Sequence, residues 1–249
     1  MALTSSTTAG ARCEGSFLTE QWPAGCPEAR VAVECYIAEL TELGKRFLHL
    51  VADALRIPRD TLFSFLSDQH RLKLVRYPPV PHSGDRGLVQ GVGPHKDSSG
   101  WWTFLLQASP DVGGLQVLSD NGSWVDVPVV PGSFVVNIGQ VFEVVSNGVC
   151  KATTHRVVLR QGSSERFSVP FFQGVRRNLR KDEAVGTLND HFRGFELTRR
   201  TGSGEIDSPF LEGKYNTWGE SQLRTKIRSH KAVGRRFYSE VFNRYVGDD

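Results

Sequence analysis

Gly91-Val92-Gly93-Pro94-His95-Lys96-Asp97 and, much further along, Thr154-His155-Arg156-Val157 decide how this sequence is read. In an extended chain, side chains at i and i+2 point to one face, so His95 and Asp97 can meet at one point in space. An imidazole from a distant strand, with His155 as the candidate, would complete two histidines and one carboxylate on one side of a metal ion. The opposite coordination positions would then stay open, as they do in non-haem Fe(II) centres. Eleven residues beyond His155, Arg166-Phe167-Ser168 repeats the i, i+2 spacing with a guanidinium and a hydroxyl. A planar guanidinium is suited to gripping a carboxylate by two parallel hydrogen bonds. Taken singly, each residue has a plainer reading: His95 in a loop, Asp97 in a turn, Arg166 on the surface. Together they read as a metal site followed by an anion clamp.

The rest of the composition limits the alternatives. A chain of 249 residues can form one large domain or two small ones and bury a substantial core in either case. Hydrophobic residues at 39% and charged residues at 23% are ordinary for a soluble globular protein. A formal net charge of +3 is too small to point to nucleic acid or to an anionic membrane. No apolar run approaches the length of a bilayer span. Residues 1–10 lack the basic start and apolar centre of a secretory signal and read as a short flexible tail. Cys13, Cys26, Cys35 and Cys150 show no C-x-x-C spacing, so reduced thiols in a cytoplasmic protein are expected.

Upstream of the two key stretches, Val33, Tyr36, Ile37, Leu40, Leu43, Phe47, Val51 and Leu55 recur at three- and four-residue intervals. They predict one long helix over 27–57, closed by Pro58, with Gly44 as a point of bending. A short helix over 60–66 would be capped by Asp60. After Arg71 the period changes to short Val-, Ile-, Phe- and Trp-rich segments, giving strands near 72–77, 91–95, 102–107, 115–118, 124–128, 133–138, 155–159 and 166–172. Asp120-Asn121-Gly122-Ser123 is the strongest hairpin signal, because Asn-Gly supplies positive φ angles. Short strands separated by turns suggest a double-sheet jelly roll or barrel, whose mouth can carry a metal on inward-facing side chains. Residues 174–216 read as a charged, glycine-rich lid or connector. A last helix starts at the capping box Thr217-Trp218-Gly219-Glu220 and carries Leu223, Ile227, Phe237, Val241 and Tyr245.

Several further motifs occur in one order: Leu74-Val75-Arg76-Tyr77-Pro78-Pro79, Gly93-Pro94-His95-Lys96-Asp97, Gly114-Leu115-Gln116-Val117, Trp124-Val125-Asp126-Val127-Pro128, Asn137-Ile138-Gly139, Ser146-Asn147-Gly148, Thr154-His155-Arg156-Val157 and Arg166-Phe167-Ser168-Val169-Pro170-Phe171-Phe172. In this series, over roughly residues 72–175, the chain resembles the isopenicillin N synthase-like, 2-oxoglutarate-dependent dioxygenases. The resemblance implies a mainly β protein with flanking helices, built on a double-stranded β-helix (jelly-roll) core at 72–175. Residues 1–71 would pack on that core, and 176–249 would form a lid or connector and a C-terminal helix, in one structural domain. His95, Asp97 and His155 correspond to the iron ligands, and Arg166 and Ser168 to the pair that binds the far carboxylate of 2-oxoglutarate. Tyr77 corresponds to a tyrosine touching cosubstrate or substrate. Phe172 and Lys73 fall along the substrate wall, and Phe104 is a further aromatic suited to lining it.

The implied activity is oxidation of a small organic metabolite, of the kind met in secondary metabolism, by Fe(II), 2-oxoglutarate and dioxygen. Hydroxylation, desaturation and ring formation all remain open. So do two other functions: an iron oxidase of the same fold that does without 2-oxoglutarate, and a truncated, non-catalytic partner of an oxygenase. The family's longer N-terminal segment covers one side of its pocket. Its shortness here leaves that wall to be supplied either by the long stretch after Gly174 or by a second copy of this chain or a heteromeric partner. A small-molecule substrate is expected, with neither nucleic acid nor membrane as a partner.

Overall fold

The computed structural model describes residues 22–67, 69–82, 87–98, 100–193, 206, 208–213 and 215–247. The tail read at residues 1–10 lies outside them, as does Cys13. The chain opens with helix α1 (Pro27–Leu55). Ile37, Leu40, Leu48 and Ala52 are buried on it, flanked by the partly buried Val33, Tyr36, Leu43, Phe47, Val51 and Leu55. Pro27 takes the first helical turn, where its missing N–H costs nothing, and Arg56 ends the helix in the left-handed conformation (φ 57°). Gly44 does not interrupt the helix. It is buried where a Cβ would lie 2.6 Å from Nε2 of Gln173, so its lack of a side chain serves close approach to the sheet. The next element is a 3-10 helix over Thr61–Phe65, and Asp60 makes no capping hydrogen bond there.

Among the described residues nine strands follow: β1 (Arg71–Leu72), β2 (Val75–Tyr77), β3 (Leu88–His95), β4 (Trp102–Gln107), β5 (Leu115–Leu118), β6 (Trp124–Asp126), β7 (Val135–Ile138), β8 (His155–Arg160) and β9 (Arg166–Phe172). A short helix, α2 (Gln140–Val145), not foreseen from the periodicity, separates β7 from β8. The segment expected as one strand at 72–77 is two, β1 and β2, both paired with β9. At the hairpin, Gly122 alone has positive φ (82°), and the Asn121 side chain accepts from the Ser123 N–H at 3.0 Å. Asparagine closes this turn through its amide, not through its backbone angles.

The strands form two antiparallel sheets. One has five strands, in the order β1-β9-β4-β7 with β2 also on β9, and the other runs β3-β8-β5-β6. Each strand presents alternate residues to opposite faces. Tyr77, Leu115, Val157 and Leu159 gather in one buried cluster. The larger cluster packs α1 against the five-stranded sheet, with Phe47 edge-on to Trp102 and Phe104 at 5.0 and 5.7 Å between ring centroids. Contacts of this kind add about 0.5–1.5 kcal/mol each beyond the area they bury. The architecture is a jelly roll with helices on its outside, as expected.

Beyond β9 the chain is more helical than its composition suggested: α3 (Lys181–Gly186), α4 (Asn189–Arg193) and α5 (Pro209–Glu212) lie in the stretch read as a lid or connector. The single C-terminal helix becomes three, α6 (Trp218–Ser229), α7 (Lys231–Phe237) and α8 (Ser239–Val246). Thr217 caps the helix as expected, in half of a capping box. The Thr217 hydroxyl accepts from the Glu220 N–H and donates to the Glu220 carboxylate. Among the described residues, no helix is long and apolar enough to cross a membrane.

Candidate active site

His95 is the last residue of β3 and His155 the first of β8, and the two are direct partners across that strand pair. Their ring centroids lie 4.3 Å apart. Nδ1 of His95 is 2.9 Å from the Gly93 carbonyl oxygen, and Nδ1 of His155 is 3.1 Å from that of Thr153. A carbonyl can only accept, so each Nδ1 carries the proton and each Nε2 keeps a free lone pair. Both Nε2 atoms face Oδ1 of Asp97, at 3.8 and 3.7 Å. Burial pushes the His95 imidazole below its ordinary value, which favours the neutral form that binds metals. The three ligand atoms lie within 4.8 Å of one another.

The carboxylate is fixed from behind. Oδ2 of Asp97 accepts from the Thr103 hydroxyl and from the Asn137 amide, both at 2.6 Å. Thr103 on β4 and Asn137 on β7 are themselves register partners, so one sheet aims two donors at one oxygen and leaves Oδ1 to the histidines. Outer donors of this type orient a ligating carboxylate, and their loss typically costs about 10–100-fold in metal affinity. Thr103→Val removes the hydroxyl at nearly constant volume. It is expected to weaken Mn(II) binding by about that factor in a titration, with the fold retained.

Arg166, Ser168, Pro170 and Phe172 share one face of β9 by the two-residue period. Arg166 is 1% exposed and Ser168 3%. The guanidinium has an incomplete set of partners: Nη2 lies 3.4 Å from the Gln107 side-chain oxygen, while Nε and Nη1 are buried with none. Tyr77, its register partner on β2, places its ring 5.1 Å from the guanidinium carbon. Burial lowers the Arg166 pKa from its ordinary value, and the Tyr77 hydroxyl works against that shift. Orphaned donors on a buried cation are costly, and an anionic ligand would satisfy them.

Of the residues expected along the substrate wall, Phe172 and Lys73 are together, with the Lys73 ammonium 5.3 Å from the Phe172 ring centroid. Phe104 is not with them. It is one residue out of phase with Thr103, so it faces α1 and packs against Phe47, Phe134 and Phe171 in the core. The donor set suits Fe(II), and the unsatisfied guanidinium suits the far carboxylate of 2-oxoglutarate.

Residues 69–175 match the 2OG-Fe(II) oxygenase superfamily. A 2-oxoglutarate-dependent dioxygenase of Dothideomycetidae sp. (strain 11243) is 37% identical over 233 residues, covering 89% of this chain and 61% of the relative. One from Gibberella zeae is 35% identical over 236 residues with the same shares. The chain therefore spans about three-fifths of the length of these curated relatives. Among solved structures, a 2OG-Fe(II) oxygenase family protein from Caulobacter crescentus superposes with a TM-score of 0.66 at 26% identity, over 92% of this chain and 68% of its own. JOX2, solved in complex with 2OG, Fe and JA, does so with a TM-score of 0.57 at 30% identity, over 64% of this chain and 46% of its own.

Proposed function

Residues 69–175 belong to the 2OG-Fe(II) oxygenase superfamily, and from that premise we propose that this chain is an Fe(II)- and 2-oxoglutarate-dependent dioxygenase acting on a small organic molecule. The observation that carries the reading is the pairing of two incomplete sites in one jelly roll. A histidine–carboxylate triad has its Nε2 lone pairs free, and a buried arginine has two nitrogens without partners.

His95, Asp97 and His155 would hold the iron, and Arg166 with Ser168 the distal carboxylate of 2-oxoglutarate, with Tyr77 steadying the guanidinium. When bound, the metal and its cosubstrate supply dioxygen activation, with release of succinate and carbon dioxide and oxidation of a substrate C–H bond. The chain's own part is positional. The carbonyls of Gly93 and Thr153 keep both imidazoles in the ligating tautomer. Thr103 and Asn137 hold Asp97 with one oxygen turned to the site. Phe172 presents an apolar surface beside it, which limits the access of water. Hydroxylation, desaturation and ring closure differ only in how the substrate lies, so all three belong to the proposal.

Succinate formation should require both Fe(II) and 2-oxoglutarate, stop on addition of EDTA and return with Fe(II). Substrate turnover that ignores 2-oxoglutarate would move the assignment to an iron oxidase of the same fold. Completion of the pocket by a second copy of the chain or by another subunit is also proposed, as is a place in secondary metabolism. The cytoplasm is the proposed compartment, since the thiols of Cys26, Cys35 and Cys150 are free.

A further inference from the structure

Beside the triad stands a group of cations that the chemistry above does not use. Arg71 and Lys73 both lean on Phe172, with the guanidinium carbon 5.5 Å and the ammonium 5.3 Å from its ring centroid. Phe172 pairs across the sheet with Thr103, the residue that holds Asp97. Helix α6 reaches the same place from the other direction. The Gln222 amide donates to the Ser98 carbonyl at 2.6 Å, next to Asp97, and Lys226 lies one turn further along that face of α6. Arg71, Lys73 and Lys226 are all half-buried. None forms an ion pair with a carboxylate among the described residues, whereas the nearby Lys96 is paired with Glu143 at 3.3 Å.

Their closeness registers on their protonation. Loss of hydration, then repulsion from Arg71 and Lys73, brings the Lys226 ammonium down to about 8 against the pull of Asp97. Burial lowers Lys73 and Arg71 as well, with Asp97 again pulling the other way. Like charges held together and half dehydrated cost stability, and perturbations of this kind gather where ligands bind. The metal and cosubstrate do not offset them. The two positive charges of Fe(II) and that of Arg166 are balanced by dianionic 2-oxoglutarate and Asp97. The three remaining cations are left for something else.

We propose that Arg71, Lys73 and Lys226 anchor the substrate, which carries an oxyanion (a carboxylate or a phosphate ester) between them and an apolar body against Phe172. This rests on the oxygenase reading and adds the substrate class to it. It also gives α6 a function: a helix outside the jelly roll brings one of the three charges to the pocket. Lys226 is kept at a cost to the fold because the bound anion takes the place of the water it has lost.

The test uses the full chain, anaerobic and loaded with Fe(II) and 2-oxoglutarate, whose complex absorbs in the visible. Phenylacetate and phenyl phosphate are titrated as the two forms of oxyanion, and phenylacetamide as the neutral counterpart. At least one anion is expected to bind about 10-fold or more tightly than the amide, and the better of the two identifies the group recognised. Lys226→Met and Arg71→Met should each lose about that factor for the anion and nothing for the amide. Wild-type affinity for the anion should fall with rising pH, below the range of an ordinary lysine, as Lys226 gives up its proton beside Arg71, Lys73 and Asp97, and Lys226→Met should flatten that profile. The same variant should also raise Tm at neutral pH, since it removes a charge whose burial is unfavourable; a merely structural lysine would lower it. Equal binding of anion and amide, no binding of either anion, or variants without effect on the anion would each overturn the proposal. Loss of the visible complex in the wild type would instead remove the oxygenase reading beneath it.

Discussion

Asp97→Ala is expected to abolish metal binding and, unlike His95→Ala, to lower the melting temperature of the metal-free protein. The two effects have separate causes. Loss of the metal follows from loss of a ligand: two imidazoles on adjacent strands cannot match a site that also supplied an anion to a dication. Affinity should fall by more than the roughly 100-fold upper range for an outer donor. The stability loss follows from what stands behind the carboxylate. The Thr103 hydroxyl is buried and, with the Asn137 amide, donates to Oδ2 of Asp97. An alanine strands both donors, at about 1–3 kcal/mol for each that water cannot reach. His95→Ala is the control. Its side chain is 42% exposed and its ring nitrogen bonds only a carbonyl two residues away among the described residues, so the metal should be lost with little change in Tm. Thermal unfolding with and without Mn(II) reads both: added metal should raise Tm in the wild type and in neither variant. A Tm for Asp97→Ala equal to that of the wild-type apoprotein would show that Thr103 and Asn137 are satisfied elsewhere. Mn(II) still raising the Tm of that variant would remove Asp97 from the ligand set.

The difference between these residues also explains how much of the site could be read from the sequence. His95 with Asp97, and Arg166 with Ser168, are legible because a strand's two-residue period is a local property. The pairing of His95 with His155 was legible only as a demand for a third ligand, and the register of β3 on β8 supplies it. Thr103 and Asn137 were not legible as donors. They meet at Asp97 because β4 and β7 pair with those two residues opposite each other, and no local pattern encodes that register. Phe104 shows the same limit: a shift of one residue along β4 separates a ligand-orienting hydroxyl from a core aromatic, and apolarity alone does not tell the faces apart. Strand limits were read well where β-branched and aromatic runs end in turn residues, as at Trp102–Gln107 and Arg166–Phe172. The C-terminal helices were read as one because no proline or glycine marks the breaks at His230 and Tyr238. Lys226 carries no signal in the sequence, because the cations it meets, Arg71 and Lys73, lie more than a hundred residues upstream.

Arg166→Met should weaken 2-oxoglutarate binding by about 100-fold or more while leaving the apoprotein as stable as before, or more so. The first half rests on the strength of a bidentate, charge-assisted contact, for which two hydrogen bonds at about 1.5–3 kcal/mol each make 100-fold, or about 2.7 kcal/mol, a modest expectation. The second half rests on what the guanidinium lacks. It is 1% exposed, its Nη2 reaches the Gln107 oxygen only at 3.4 Å with the Tyr77 hydroxyl as its other polar neighbour, and Nε and Nη1 have no hydrogen-bond partner among the described residues. Replacing a buried, poorly paired charge by an unbranched apolar side chain of similar length removes a desolvation cost, and such exchanges are often neutral or stabilising. The Gln107 oxygen loses its contact with Nη2, but Gln107 is only partly buried, so water replaces that donor, and its amide still donates to the Pro128 carbonyl at 3.0 Å. Arg166→Lys separates charge from shape: an ammonium restores the attraction but not the fork, so affinity should recover only in part. Titration of the Fe(II)-loaded protein with 2-oxoglutarate, followed by thermal unfolding of the same variants without it, gives both numbers. A variant that loses stability yet binds 2-oxoglutarate normally would mean that Arg166 is an architectural residue, with Tyr77 and Gln107 as its true partners. A loss of affinity without a loss of stability is the pattern of a side chain held in an unfavourable state for the ligand that completes it.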